Sequence, residues 1–206
     1  ETLQKYTDYV STEKDFPLAE FTSRHSSATE AVGYGKALMF FHMLRRQLGD
    51  STFTESLREL YRRFRFKTAS YDDLQKVFEE VSGQDLAVEF KQWVTRPGAP
   101  QLAVEDARLR EAEGRFVLTA TLRQRQPAGP AYALRVPVVV TLAGQEEARE
   151  QVIDLQARRQ TIELSFEARP VRLDVDPQYD LFRKLDRAEI PPALSQVFGA
   201  KEVMAV

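Results

Sequence analysis

The residues able to carry catalysis in this chain are few. It has 206 residues, no Cys and only two His, His25 and His42. A zinc site needs three or four N, O or S ligands, and two His one helical turn apart commonly supply half of them. His25 and His42 stand 17 positions apart, and neither has a second His within a turn. The chain alone is therefore expected to hold no metal. His42 is expected on the flank of a mostly buried helix, bonded to a neighbour, and His25 in a polar loop. No G-x-S-x-G is present, and a Ser–His–Asp triad would have to draw on one of those two His. Ser26 and Ser27 read as helix-capping residues. Asp72-Asp73 and Glu79-Glu80 fall at exposed helix positions, the first pair in a first turn that favours negative charge. Gly33-x-Gly35 followed by Lys36 lacks the spacing and the preceding strand of a phosphate loop. Arg58, Arg62, Arg63, Arg65 and Lys67 alternate with Glu55 and Glu59, the pattern of a solvated helix face. Residue types and spacing alone yield no complete active site.

The remaining composition narrows the class. With 29 basic and 31 acidic side chains the formal net charge is −2, a poor match for nucleic-acid binding, which favours strongly basic domains. The longest fully apolar run, Ala37 to Phe41, falls far short of the ~20 residues of a membrane span. Arg outnumbers Lys 21 to 8 and there are three Ile, a usage that points to a GC-rich bacterial gene. Whether the compartment is cytoplasm or periplasm is not written in it. The chain opens on Glu1, with no initiator Met and no signal-type apolar segment, and is expected to be a piece of a longer protein.

The elements that must position any site divide the chain in two. Up to Trp93 the apolar residues recur at helical spacing. A long helix is expected over 29–48, ended by Gly49, its middle apolar almost all round. Phe53, Leu57, Leu60, Tyr61 and Phe64 form a second stripe, with Thr52 and Glu55 as a capping box. Tyr71, Leu74, Val77, Phe78 and Val81 form a third, opened by Ser70 with Asp73. Leu86, Phe90, Trp93 and Val94 form a fourth, with Asp85 as N-cap. Arg96-Pro97-Gly98-Ala99-Pro100 then breaks the helical pattern, and the period changes to 2. Phe116, Leu118, Ala120 and Leu122 alternate with polar or smaller residues, as do Tyr132 to Leu142, Ile162 to Phe166 and Val171 to Val175. Six or seven such strands predict an antiparallel, immunoglobulin-like β-sandwich. The fold class expected is α+β in two domains. These are a helical domain over 1–98 and a β-sandwich over 99–178, followed by a short C-terminal tail over 179–206.

Three stretches in this order resemble one enzyme family. Val32-Gly33-Tyr34-Gly35-Lys36-Ala37-Leu38, followed by Phe41-His42-Met43-Leu44 and Leu48-Gly49, is similar to the segment downstream of the zinc ligands in M1-family (gluzincin) metallopeptidases. Ser70-Tyr71-Asp72-Asp73-Leu74 with Ser82-Gly83 and Asp85-Leu86 resembles the late helices of that family's catalytic domain. Phe90-x-x-Trp93 with Pro97-Gly98-x-Pro100 resembles its boundary into a β-sandwich. The resemblance implies that this is the C-terminal portion of an M1-like zinc aminopeptidase that lacks the family's H-E-x-x-H, downstream Glu and G-x-M-E-N segments. One catalytic role transfers. Tyr34 matches the family tyrosine whose phenol hydrogen-bonds the oxyanion of the tetrahedral intermediate. The family more often has an acidic residue, Lys and Gly after that tyrosine, where this chain has Gly35-Lys36-Ala37. Zinc, a peptide substrate and the N-terminal part of the parent protein are the implied partners, and the chain alone is expected to be inactive. The rival expectations are a non-catalytic scaffold and a protein- or carbohydrate-binding module.

Overall fold

The computed structural model describes residues 1–191. Among these residues six α-helices precede six β-strands. Helix α1 (Thr2–Tyr9) buries Leu3 and Tyr6, and an extended segment carries the chain to α2 (Ser27–Glu30). Ser26 and Thr29 form a reciprocal capping box there, so Ser26 does cap a helix. The expected helix over 29–48 is continuous but not uniform. A π-helical turn, Ala31–Lys36, separates α2 from α3 (Ala37–Leu48). Helix α3 is not buried all round: Met39, Phe40, Leu44 and Leu48 face the core, while Leu38 is 59% exposed. The helix stops at Gly49, whose φ of +80° suits a residue without Cβ.

Gly49 also precedes α4 (Asp50–Phe64) in the cap position, and no side chain caps that helix. The expected Thr52–Glu55 capping box is therefore absent. Asp50 takes up the first turn instead and pairs with Arg45 at 2.7 Å. The α4 stripe is covered only in part, since Leu57 and Tyr61 remain exposed. Its basic residues form the expected polar face, Arg62 and Arg63 both on Glu59. Helix α5 (Tyr71–Ser82) has the Ser70–Asp73 capping box and ends on left-handed Gly83. Helix α6 (Ala87–Val94) has Leu86 in the cap position, although the Asp85 carboxylate does accept from the Ala87 amide at 2.9 Å.

The strands are β1 (Leu102–Ala112), β2 (Arg115–Gln124), β3 (Leu134–Leu142), β4 (Arg149–Leu155), β5 (Arg159–Phe166) and β6 (Pro170–Val175). They form two three-stranded antiparallel sheets, β1-β2-β5 and β4-β3-β6. Strands β1 and β2 join through Glu113-Gly114, both at positive φ, the geometry of a tight hairpin turn. Apolar residues of both sheets and of the helices share one core, from Phe40 and Trp93 through Leu122 to Val138.

The seam between helices and strands is held by polar as well as apolar contacts. Residues 132 and 133, ahead of β3, have no strand partner, and buried backbone groups must be satisfied. Two glutamine side chains do so. Gln92 of α6 accepts from the Ala133 amide at 2.7 Å and donates to its carbonyl at 3.0 Å. Gln124 does the same for Tyr132, at 2.8 Å each way. Trp93 stacks on Tyr132 at 5.3 Å and meets Phe182 edge-on. Gly98, at φ +90°, lets the linker pass the Tyr132 hydroxyl, and its amide donates to Asp15 at 2.6 Å. From 179 onward the chain crosses back to the helices and makes one 3-10 turn, Arg187–Glu189. The rest of the expected tail, 192–206, lies outside the described residues.

Candidate functional site

Tyr34 stands in the middle of the π turn. A π turn holds one residue more than an α turn and so breaks the regular spacing of side chains; such turns are frequent at functional sites. Here the break coincides with two glycines. A methyl group on Gly33 would overlap the Phe21 ring, so the close approach of that ring requires glycine. Gly35 lies against Thr2. Phe21 in turn meets the Tyr34 ring edge-on, with centroids 5.4 Å apart. The Tyr34 side chain is 59% exposed, and its hydroxyl makes no hydrogen bond among the described residues. It is an exposed hydroxyl on a braced backbone.

Lys36, two residues on, points the other way. It is fully buried, and its ammonium donates to the Arg96 carbonyl at 2.6 Å. It thereby anchors the start of α3 to the linker, and nothing in its position exposes it to a substrate. Burial pulls its pKa down to about 8; Asp15 partly opposes this and Arg96 adds to it. An unfolded lysine titrates near 10.4, so between these values the unfolded chain binds more protons than the folded one. Stability must therefore rise with pH in that window. From pH 8 to about 9.5 the gain is expected to be roughly 2 kcal/mol, and Lys36→Met should abolish it. Urea titrations of both proteins across that range check this, and a rise retained by Lys36→Met would refute it.

Neither histidine joins Tyr34. His25 is exposed and bonded to Ser23 at 2.6 Å. His42 contacts Asp180 at 2.7 Å, the neighbour-bonded flank position expected for it. No three His, Cys, Asp or Glu among the described residues are grouped to hold a metal ion, so these residues do not fit a zinc centre. No described helix is long and apolar enough to cross a membrane. The sequence did not reveal Phe21 as the brace of Tyr34 or Lys36 as a buried anchor. The one available signal was a pair of glycines inside a helical pattern, which marks close backbone approach.

Helices leading into antiparallel sheets also occur in a solved peptidase. The crystal structure of Legionella pneumophila aminopeptidase A in complex with aspartic acid matches with a TM-score of 0.60 at 16% identity. The match covers 79% of this chain and 18% of that one. Residues 4–93 match the model of the Peptidase family M1 domain, and through this stretch the chain is related to the M1 aminopeptidases. Aminopeptidase N of Lactococcus lactis subsp. lactis is 32% identical over 75 residues, 36% of this chain and 9% of that protein. The mitochondrial aminopeptidase 2 of Saccharomyces cerevisiae is 23% identical over 138 residues, 66% of this chain and 14% of that protein. The chain thus spans only a small part of the length of these relatives.

Proposed function

We propose that this chain is the C-terminal part of an M1-type zinc aminopeptidase, in which Tyr34 donates a hydrogen bond to the oxyanion formed as the peptide bond is attacked. The observation that carries the reading is the placement of Tyr34: exposed, unbonded and braced on a π turn, within the stretch that matches the M1 model. A donor aimed where negative charge develops favours the transition state over the ground state. The helical half, 1–98, would form one wall of the cleft, and the strands of 99–178 would brace it as an immunoglobulin-like sandwich. The strand order β1-β2-β5 against β4-β3-β6 supports that assignment, because it pairs the first, second and fifth strands as in such sandwiches.

Since the described residues do not fit a zinc site, the zinc, the general base and the grip on the substrate amino terminus are assigned to the N-terminal part of the parent. A bound metal would supply Lewis acidity there. Two observations test the reading. The reading frame upstream of the Glu1 codon is expected to encode H-E-x-x-H and a Glu ligand about twenty residues further on. The chain by itself is expected to release no product from aminoacyl p-nitroanilides. Stoichiometric zinc with turnover in the chain alone would overturn the assignment, and an open upstream frame without those ligands would favour a non-catalytic scaffold.

A further inference from the structure

A second feature lies in the seam, away from Tyr34. A cavity of about 120 Å³ opens between α3, α6 and the start of β3, with Phe40, Leu44, Trp93 and Leu134 in its apolar wall. That is the scale of an engineered cavity of about 150 Å³ that admits benzene. Four charged side chains line the same cavity: Arg46, Glu89, Arg135 and Asp180. Asp180 is already engaged, hydrogen-bonded to His42 at 2.7 Å and paired with Arg46 at 3.5 Å. Among the described residues Glu89 accepts only the Gln47 amide, at 3.0 Å. Arg135 has no carboxylate within 4.0 Å among the described residues. An anion and a cation therefore border one small apolar space, and neither neutralises the other.

We propose that this cavity binds a free α-amino acid with an aliphatic side chain. Its carboxylate would meet Arg135, its ammonium Glu89, and its side chain the wall formed by Phe40, Leu44 and Trp93. The charge arrangement selects a zwitterion: an uncharged apolar molecule leaves both charges unmet, and a dianion is opposed by Glu89. Charge-assisted hydrogen bonds of this kind are the strong ones, and planar Arg suits a carboxylate. The site lies within the chain itself and does not depend on the peptidase reading.

Trp93 is the single tryptophan of the chain and forms part of the wall, so its fluorescence reports occupancy. Titrating the chain with L-leucine is expected to give a saturable change, confirmed by calorimetry. L-Leucinamide, without the carboxylate, and 4-methylpentanoate, without the ammonium, should each bind on the order of tenfold more weakly. Arg135→Gln should weaken L-leucine by a similar factor while leaving L-leucinamide unchanged, and Glu89→Gln should do the same for L-leucine against 4-methylpentanoate. Both changes are on the rim, and an unchanged melting temperature without ligand would establish that they leave the fold intact. L-Leucine producing no saturable response by either method would overturn the proposal. Equal affinity of Arg135→Gln and the unaltered chain for L-leucine would do so as well.

Discussion

Tyr34→Phe in the full-length parent is expected to lower kcat about 10²–10³-fold, the usual loss on removing one oxyanion donor, with KM nearly unchanged. The split follows from where the proposed role places the hydroxyl. A group that bonds only the developing oxyanion contributes to the transition state and not to ground-state binding. The fold should not register the change. The hydroxyl makes no hydrogen bond among the described residues, and the ring keeps its edge contact with Phe21 in either form. The π turn that carries it is held by other residues, the Ser26–Thr29 capping box below and the Gly33–Phe21 contact beside it. The melting temperature of the variant should therefore match that of the parent. Tyr61, also exposed and on a helix, supplies the control, since Tyr61→Phe should leave both constants unchanged. Equal kcat for Tyr34→Phe and the parent would remove Tyr34 from the chemistry while leaving the fold relationship intact.

The helical half was the more legible in sequence. Its stripes at Val77, Phe78, Phe90 and Trp93 are buried as their spacing requires, and Ser70 with Asp73 marked the start of α5 to the residue. Two kinds of feature escaped. Strands β1 and β4 are edge strands, each paired on one side only, and most of their residues are exposed. Such strands carry charges on both faces, a common device against edge-to-edge association, so no apolar alternation announces them. In β1 the register also shifts between Glu105 and Arg108, with Asp106 at φ +53°, which breaks any period further. Contacts across long sequence distance were the second loss. Glycines at 33 and 35 are visible in the sequence, but Phe21 and Thr2, which lie against them, become neighbours only once α1 and the segment after it fold back on the π turn. Nothing local in the sequence marks Lys36 as buried either, because the carbonyl that receives its ammonium belongs to Arg96, 60 residues on.

The largest expected effect on stability comes from the segment that returns from β6 to the helices. Asp176 and Arg183 are fully buried and paired at 2.7 Å. The other Asp176 oxygen accepts from the amides of Asp180 and Leu181 at 2.7 and 3.2 Å. Arg183 gives its two remaining nitrogens to Glu189, at 2.9 and 2.8 Å, and Glu189 also accepts from the Asp186 amide. This network folds residues 176–189 into a clamp. Through it Phe182 reaches Trp93 and Tyr6, the Lys184 amide reaches the Pro100 carbonyl, and the Leu185 amide reaches Thr7. Asp176→Ala would leave a buried guanidinium with half its partners and two amides with none. Breaking a buried pair in this way costs about 3–5 kcal/mol, a third or more of the stability of a typical domain. Asp176 also stands at φ +51°, a region Asn tolerates and Ala does not. Asp176→Asn keeps an acceptor for the two amides and fits the backbone, so its cost should be well below that of Ala. Urea unfolding of the three proteins separates the contributions. The Asn–Ala difference reports shape and amide bonding, and the difference between the unaltered chain and Asn reports the charge. Because the pair is out of contact with solvent, its contribution should change little with added salt, unlike that of the exposed Arg45–Asp50 pair. A loss under about 1 kcal/mol for Asp176→Ala would mean that apolar packing of Leu181 and Phe182 holds the clamp without the network.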